Sequence, residues 1–505
     1  MGDGEGPDGP DFTRGVPASD IAEGRMLAGR VGEDAVLIAR VDGALHAIGA
    51  ECTHYHGPLA EGLLKDGTVR CPWHHARFCL KTGEALGAPA IDPVASYAVE
   101  EAGGKVFVRN KRESPPQTLT PPAGLKRVVI VGAGAGGFAA AEMLRRKGFG
   151  GELVMLSADE DAPYDRPNCS KDFLSGDAPP EWMPLRDDAF YEAHRIDLRL
   201  GTRVEALDPE AKTVTLEGGE TLTWDALVLA TGAEPRRPPG FQPNEDNVFL
   251  LRSLADAQAL ADAAQKAKIA VVLGSSFIGL EVAAALRKRG LEVHVVAPEP
   301  IPFEKALGAE VGRWVQHVHE AKGVVFHLGI QARGFASGLL SLDDGNTIAT
   351  DIVVVGVGVT PRVALADAAG LAVDNGVIVD DRLRAAPSIW AVGDIARYPD
   401  PISGRPIRVE HWVHAQRQGQ HAARVILGED RPFTDPPFFW SAHYDQTVNY
   451  SGNAESFDPP TADGSISGYD ATVRYEKDDR LLAVVTLGRD LASLEAEAAF
   501  EEAGG

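Results

Sequence analysis

Cysteine is scarce, four residues in 505, which excludes a disulfide scaffold and directs attention to what each cysteine stands beside. Basic residues are outnumbered, 49 Lys plus Arg against 73 Asp plus Glu, for a formal charge of −24. A surface of that sign repels phosphate backbones and anionic lipid, and no local basic patch offsets it, so neither nucleic acid nor a membrane surface is an expected partner. No run approaches the ~18 apolar residues that a bilayer span requires. The N-terminal MGDGEGPDGPD is acidic where a signal peptide is basic and then apolar, and these absences together predict a cytoplasmic protein. Glycine is plentiful, 55 residues, as in α/β folds with many tight turns, and the length suits about three to four domains.

Residues 12–110 read as a small all-β module. Short runs (Ala35–Val41, Ala44–Ile48, Val69–Cys71, Tyr97–Glu100, Lys105–Arg109) alternate with Gly, Asp and Pro turns and show little helical periodicity. Within it lie Cys52-Thr53-His54 and Cys71-Pro72-Trp73-His74, with sixteen residues between His54 and Cys71. Two thiolates and two imidazoles can hold zinc, but zinc fingers usually pair Cys with Cys and His with His, whereas each loop here offers one of each. The pattern C-x-H then C-x-x-H resembles the Rieske [2Fe–2S] family, in which two Cys hold one iron and two His the other. That resemblance implies Cys52, His54, Cys71 and His74 as metal ligands and leaves His56 and His75 as turn or supporting residues. Gly57 and Trp73 stand where respiratory-type members carry an extra disulfide, which implies a potential near the bottom of the roughly −150 to +300 mV Rieske range. Cys79 is expected as a buried small hydrophobe.

Residues 111–124 (KRESPPQTLTPPAG) contain four prolines and read as an extended, semi-rigid linker. The buried-strand run Lys126–Val131 follows, then Gly132-Ala133-Gly134-Ala135-Gly136-Gly137 and a helical stretch from Phe138. Glycines 132, 134 and 137 are placed for a tight turn, close approach to a pyrophosphate, and close helix packing. An acid for the ribose is expected after the next strand, Glu152–Leu156, with Asp159 first and Glu160 beside it. A second strand-turn-helix site spans Ile269–Gly279, with Gly274 and Gly279 in place and Ser276 where the middle glycine would be. Two such sites predict two dinucleotides. After the strand Leu291–Val296, Glu299 is the acid that can reach a 2′-hydroxyl, and no Arg directly follows to bind a 2′-phosphate, so NADH is favoured over NADPH.

Pro163-Tyr164-Asp165-Arg166-Pro167-Asn168-Cys169-Ser170-Lys171-Asp172-Phe173-Leu174 matches a PYDRPxLSKxxL segment except at Cys169. With the glycine loops it makes residues 125–505 resemble the apoptosis-inducing-factor-like and ferredoxin-reductase branch of two-dinucleotide flavoproteins. The whole chain resembles Rieske-fused members of that branch. The resemblance implies bound FAD, a chain crossing at Ala230-Thr231-Gly232, Asp394 on the ribityl chain, Arg166 and Trp412 near the flavin, and Gly358 near the nicotinamide. Lys171 beside the isoalloxazine pairs with Glu281, and these two are the expected catalytic residues. Trp440 is a further aromatic near the ring. Cys169 has no second Cys in this half, so disulfide reductase chemistry is not expected; packing and a redox-sensor role both stay open for it.

The implied plan is a multi-domain chain: Rieske domain 12–110, linker 111–124, FAD-binding segments 125–250 and 374–434, NAD(P)-binding domain 251–373, and a small α+β C-terminal interface domain 435–505. The implied function is an NAD(P)H-dependent oxidoreductase that hands single electrons, by way of the cluster, to a ferredoxin, an oxygenase component or another one-electron acceptor. A homodimer is compatible with it. The alternative is a redox-responsive interaction protein with slow NADH turnover. A Rieske oxygenase would need a mononuclear iron on residues such as His411, His414, His317 or His319, and the two nucleotide domains leave no oxygenase fold to hold it.

Overall fold

The structure is a computed structural model that describes residues 9–241 and 247–504. Most of the acidic N-terminal stretch lies outside these residues, as do residues 242–246 of the first FAD-binding segment and the final glycine. The chain forms two compact units, Met1–Leu119 with Arg489–Glu502, and Thr120–Gly488 with Ala503–Gly505.

The first unit is all-β apart from its C-terminal contribution. An antiparallel six-stranded sheet runs in the order Val16–Pro17, Lys105–Arg112, Ser96–Ala102, Ala44–Gly49, Asp34–Val41, Met26–Val31. A four-stranded sheet, Leu63–Lys65, Thr68–Arg70, Arg77–Cys79 and Ala85–Gly87, carries the second Cys/His loop between its second and third strands. The two cysteines of the motif sit inside an apolar cluster with Leu37, Ile48, Leu59, Val69 and Phe78. Cys79 is half-buried on a strand and not fully buried as expected, because its side chain lies on the face of a short strand opposite that of the buried Phe78.

The helix Asp490–Gly504 was expected with the C-terminal domain, but Arg489–Glu502 packs in the first unit. Its inner face buries Leu494, Ala498 and Phe500 together with Glu497. Two of its acids meet three cations of the four-stranded sheet: Glu501 takes Arg70 and Arg77, and Glu502 takes Lys65. Charge pairing over an apolar stripe therefore assigns this helix to the β module.

The second unit holds two parallel sheets. One has the order Ile196–Arg199, Glu152–Leu156, Arg127–Val131, Ala226–Leu229, Ile389–Ala391, with Arg384–Ala386 antiparallel at its edge. The other has the order Val248–Leu250, Ile352–Val355, Ile269–Leu273, Glu292–Ala297, Val324–Leu328 and is parallel throughout. Strands buried on both faces read as continuous apolar runs; Val128, Val129 and Ile130 are fully buried, each such side chain contributing about 1.5–3 kcal/mol. Val248–Leu250 pairs with Ile352–Val355, so the second nucleotide domain begins slightly before residue 251. A five-stranded antiparallel sheet, Phe438–His443, Gln446–Gly452, Arg480–Leu487, Asp470–Lys477 and Thr461–Ser465, completes the unit. With the terminal helix gone to the first unit, residues 435–488 form a β-rich domain. Among the described residues no helix is long and apolar enough to cross a membrane.

Candidate dinucleotide and cluster sites

Both glycine loops have the same construction. Each leading strand ends in a glycine with positive φ, Gly132 at 107° and Gly274 at 103°. An added methyl there would lie 2.1 Å from the Ala230 carbonyl oxygen in the first case and 2.4 Å from that of Gly356 in the second. The helices that follow, Ala135–Arg146 and Phe277–Lys288, are pulled against their turns at Gly137 and Gly279, where a methyl would sit 1.9 and 2.4 Å from the oxygens of Gly132 and Gly274. At Gly134 the space is open, with Arg166 Nη1 the nearest atom at 3.8 Å. Ser276, in the middle-glycine position, donates to the Gly356 carbonyl at 3.3 Å. Each loop thus presents a helix N-terminus with its amides exposed to an anion.

These loops open on a cavity of about 1510 Å³ lined by the first parallel sheet and its turns, by the start of the helix that follows the second glycine loop, and by the antiparallel sheet. It exceeds the roughly 300–1,000 Å³ of a drug-sized site, as dinucleotide chemistry requires. Of the expected residues, Gly132, Gly134, Asp159, Arg166, Lys171, Ala230, Thr231, Gly232, Ser276, Glu281, Gly358, Asp394 and Trp412 line it. Gly137, Gly274 and Gly279 act from behind, through the close contacts above. Glu299 is not in the cavity wall; it lies just past the strand Glu292–Ala297 with Lys305 Nζ 3.9 Å from its carboxylate. Asp159 reaches the cavity and Glu160 does not, while Asp161, which the sequence reading passed over, also lines it. Burial first, then the charges of Asp159 and Glu160, push the Asp161 carboxyl upward.

At the centre, Lys171 Nζ donates to Glu281 Oε2 at 2.8 Å. Ser170 Oγ donates to the same oxygen at 2.7 Å, and Ser441 Oγ to Oε1 at 2.9 Å. Glu281 is 5% exposed, and these three donors satisfy a buried carboxylate that would otherwise be costly to desolvate. Lys171 follows a 3-10 turn, Arg166–Ser170, whose Pro167 carbonyl also accepts from its Nζ at 3.3 Å. His411 stacks on Phe439, centroids 4.0 Å apart and planes 20° off parallel, and burial lowers its pKa to about 4, so the ring is neutral. Asp394 pairs with Arg252. His411 and Phe439 belong to the segments Glu410-His411-Trp412 and Phe438-Phe439-Trp440, which resemble ones that pack near the flavin ring, whereas Arg252 and Ser441 had no local motif to mark them. Arg252 reaches the cavity wall only through tertiary packing, and Ser441 acts from behind it through Glu281. Cys169 is buried, and burial raises its thiol to about 12, which keeps it protonated and poorly nucleophilic.

In the first unit, the two Cys/His loops are near copies. The amide of His56 donates to the Cys52 carbonyl at 2.9 Å, and that of His75 to the Cys71 carbonyl at 3.1 Å. Cys52 N donates to Gly57 O, and Cys71 N to Ala76 O, at 2.9 and 2.8 Å. His54 and His74 face each other with their Nδ1 atoms 3.2 Å apart. Backbone amides of His54 and Tyr55 point at the Cys52 sulfur, and those of Trp73 and His74 at the Cys71 sulfur. Burial holds His54 neutral, at about 4, the form in which an imidazole ligates. The two imidazoles thus meet each other and the two thiols meet each other, the division into a His pair and a Cys pair that a Rieske [2Fe–2S] centre would use. A methyl on Gly57 would lie 2.7 Å from Cys71 Sγ, so the loops close tightly over the sulfur. Tyr55 stacks on His54 at 4.1 Å and, like Trp73, is exposed.

Comparison with known proteins agrees with both sites. Residues 126–419 match the family described as pyridine nucleotide-disulphide oxidoreductase, and residues 13–98 match the Rieske [2Fe-2S] domain. The chain is 32% identical to human apoptosis-inducing factor 3 over 492 residues, covering 93% of this chain and 81% of that protein. It is 39% identical over 376 residues to the ferredoxin–NAD(+) reductase component of the anthranilate 1,2-dioxygenase system of Burkholderia cepacia, covering 72% of this chain and 92% of the relative. Among solved structures, the covalent putidaredoxin reductase–putidaredoxin complex contains a chain with TM-score 0.72 and 32% identity, covering 75% of this chain and 93% of that one. The paired glycine loops, the cavity between them and the duplicated Cys/His loops thus have one common explanation: the chain belongs to the pyridine nucleotide-disulphide oxidoreductase family, as an FAD-dependent oxidoreductase carrying an N-terminal Rieske [2Fe–2S] domain.

Proposed function

We propose that this chain is an NADH-dependent, ferredoxin-reductase-like electron-transfer enzyme that accepts a hydride from NADH and delivers its two electrons singly, by way of the cluster, to a ferredoxin, an oxygenase component or another one-electron carrier. The observation that carries this reading is the Lys171–Glu281–Ser441 constellation in the cavity between two glycine loops, in a chain that also carries the Cys52, His54, Cys71 and His74 loops. When bound, FAD supplies the conversion of a two-electron donor into one-electron steps, and the [2Fe–2S] cluster supplies a one-electron store.

The residues of this chain bind, orient and neutralise. Gly132, Gly134 and the helix from Ala135 offer backbone amides to one pyrophosphate, with Arg166 beside them as a fixed cation. Gly274, Ser276 and the helix from Phe277 do the same for the other. Asp159 is the ribose acid of the first site, Asp394 holds a polyol hydroxyl, and Ala230-Thr231-Gly232, Gly358 and Trp412 form the walls. Lys171 places a positive charge where negative charge develops on reduction, and Glu281 keeps that ammonium in position. Ser170 and Ser441 in turn fix Glu281. The support for NADH is the likeness to relatives named as ferredoxin–NAD(+) reductases, together with the lack of an Arg directly after the strand Leu291–Val296 to bind a 2′-phosphate. Free Cys52 and Cys71 as metal ligands suit a reducing compartment, the cytoplasm.

Disulfide reduction, the chemistry in the family's description, is not assigned, because Cys169 is the single cysteine of the second unit. The test is steady-state turnover of the purified holoenzyme with NADH against ferricyanide and a ferredoxin. Rapid turnover with NADH, and much slower turnover with NADPH, supports the reading. The near full-length likeness to apoptosis-inducing factor 3 favours one second reading, a redox-responsive interaction protein. Turnover of only a few per minute with every acceptor would select it.

A further inference from the structure

The two cluster loops share a backbone and differ in one respect. His56 and His75 occupy equivalent places, with φ of 59° and 61°. The His56 side chain is 81% exposed and faces Glu51 at 3.6 Å. The His75 side chain is 0% exposed and donates from Nδ1 to Glu497 Oε2 at 2.8 Å, and Glu497 is equally buried. Arg70, immediately before the second loop, is 4% exposed; it donates to Glu501 at 3.1 and 2.6 Å and lies 3.8 Å from Glu497. Both flanks of Cys71-Pro72-Trp73-His74 are therefore tied to the same helix, by acids one turn apart. The first loop is held differently, with His56 facing Glu51 and Thr53 Oγ1 donating to the Asp92 carbonyl at 2.7 Å.

On the Rieske reading of these loops, we infer that Glu497 is a positioning residue for the cluster: the terminal helix braces the second ligand loop through Glu497–His75 and Glu501–Arg70. A carboxylate buried this deeply is tolerable only with donors aimed at it, so the helix and the loop fix one another. Groups that stand behind metal ligands and orient them typically matter 10- to 100-fold in metal retention. The last helix of the chain is in this sense part of the cluster site, although Glu497 is 422 residues from His75 in sequence.

The test uses the full-length holoenzyme and compares Glu497→Ala, Glu497→Gln and Glu495→Ala, the last an exposed position on the same helix. Three quantities are measured: iron and acid-labile sulfide per bound FAD, the rate of iron loss to a chelator, and the EPR g-values of the reduced cluster. The expected result for Glu497→Ala is iron loss at least tenfold faster or no cluster at all, with FAD content unchanged. Glu497→Gln, which keeps an acceptor oxygen, retains the cluster with altered g-values and intermediate loss, and Glu495→Ala matches wild type. Wild-type g-values and loss rates in both Glu497 variants would overturn the inference. A wild-type protein without a Rieske signal would instead overturn the Rieske reading itself.

Discussion

Glu281 and Lys171 meet at 2.8 Å although they come from different domains of the flavoprotein unit, one from the helix behind the second glycine loop and the other from the turn after Arg166. The contact joins the helix behind the second glycine loop to the turn Arg166–Ser170, inside the wall of the cavity on which both glycine loops open. Removing either partner strands the other in a poorly solvated wall. Lys171→Ala is expected to slow NADH-dependent flavin bleaching about 100-fold, with FAD content unchanged. Glu281→Gln, which keeps an oxygen for Ser441 or Lys171, is expected to have a smaller effect. Stopped-flow absorbance under anaerobic conditions measures both, and equal rates in wild type and Lys171→Ala would remove Lys171 from the site.

The glycines that hold the helices to their turns give a second prediction. A methyl at Gly137 would approach the Gly132 oxygen to 1.9 Å, and one at Gly279 the Gly274 oxygen to 2.4 Å. Backbone would have to move in both cases. Gly137→Ala is expected to yield protein largely free of FAD, whereas Gly279→Ala should retain FAD and raise the KM for NADH at least tenfold. Flavin content by absorbance and steady-state kinetics separate the two, and interchanged phenotypes would reverse the assignment of the loops.

How much of this was open to sequence reading follows from distance along the chain. Cys52, His54, Cys71 and His74 stand within two short loops, and each glycine loop is a contiguous strand-turn-helix, so local spacing alone located them. The continuous apolar runs at Arg127–Val131 and Ile269–Leu273 likewise announced parallel strands buried on both faces. Glu497, Ser441 and Arg252 carry no such signal. An acid on an Ala/Glu-rich helix looks solvated until the fold places it on His75, and a serine in an aromatic strand looks incidental until it meets Glu281. Glu299 shows the reverse case: its position after a strand matched the pattern of a ribose acid, but the cavity wall does not include it.

Buried histidines set the acid sensitivity. Burial lowers His443 to about 3 and His421 to about 4, both from an ordinary value of 6.5. Between those values and 6.5 the unfolded chain binds more protons than the folded one, so stability falls as the pH drops below 6.5, by about 1.4 kcal/mol per pH unit for each imidazole. Carboxylates with lowered values act only further down, so the window from about pH 5 to 6.5 isolates the histidines. Calorimetry is expected to show Tm falling through that window, with a shallower slope in His421→Asn. A Tm independent of pH there would contradict the burial argument.

The cluster ligands predict a clean division of labour. His74→Ala is expected to lose the Rieske EPR signal and the reduction of ferredoxin while keeping FAD at wild-type stoichiometry, since the flavin cavity is built wholly from residues of the second unit. Iron analysis, EPR and flavin absorbance on one preparation measure all three.

The most direct test of the account is an anaerobic NADH titration of the purified protein that follows flavin absorbance and low-temperature EPR together. The account predicts that the flavin bleaches and the reduced Rieske signal appears within a catalytically useful time. A flavin that is reduced and holds a long-wavelength charge-transfer band, while the cluster stays oxidised, would contradict it.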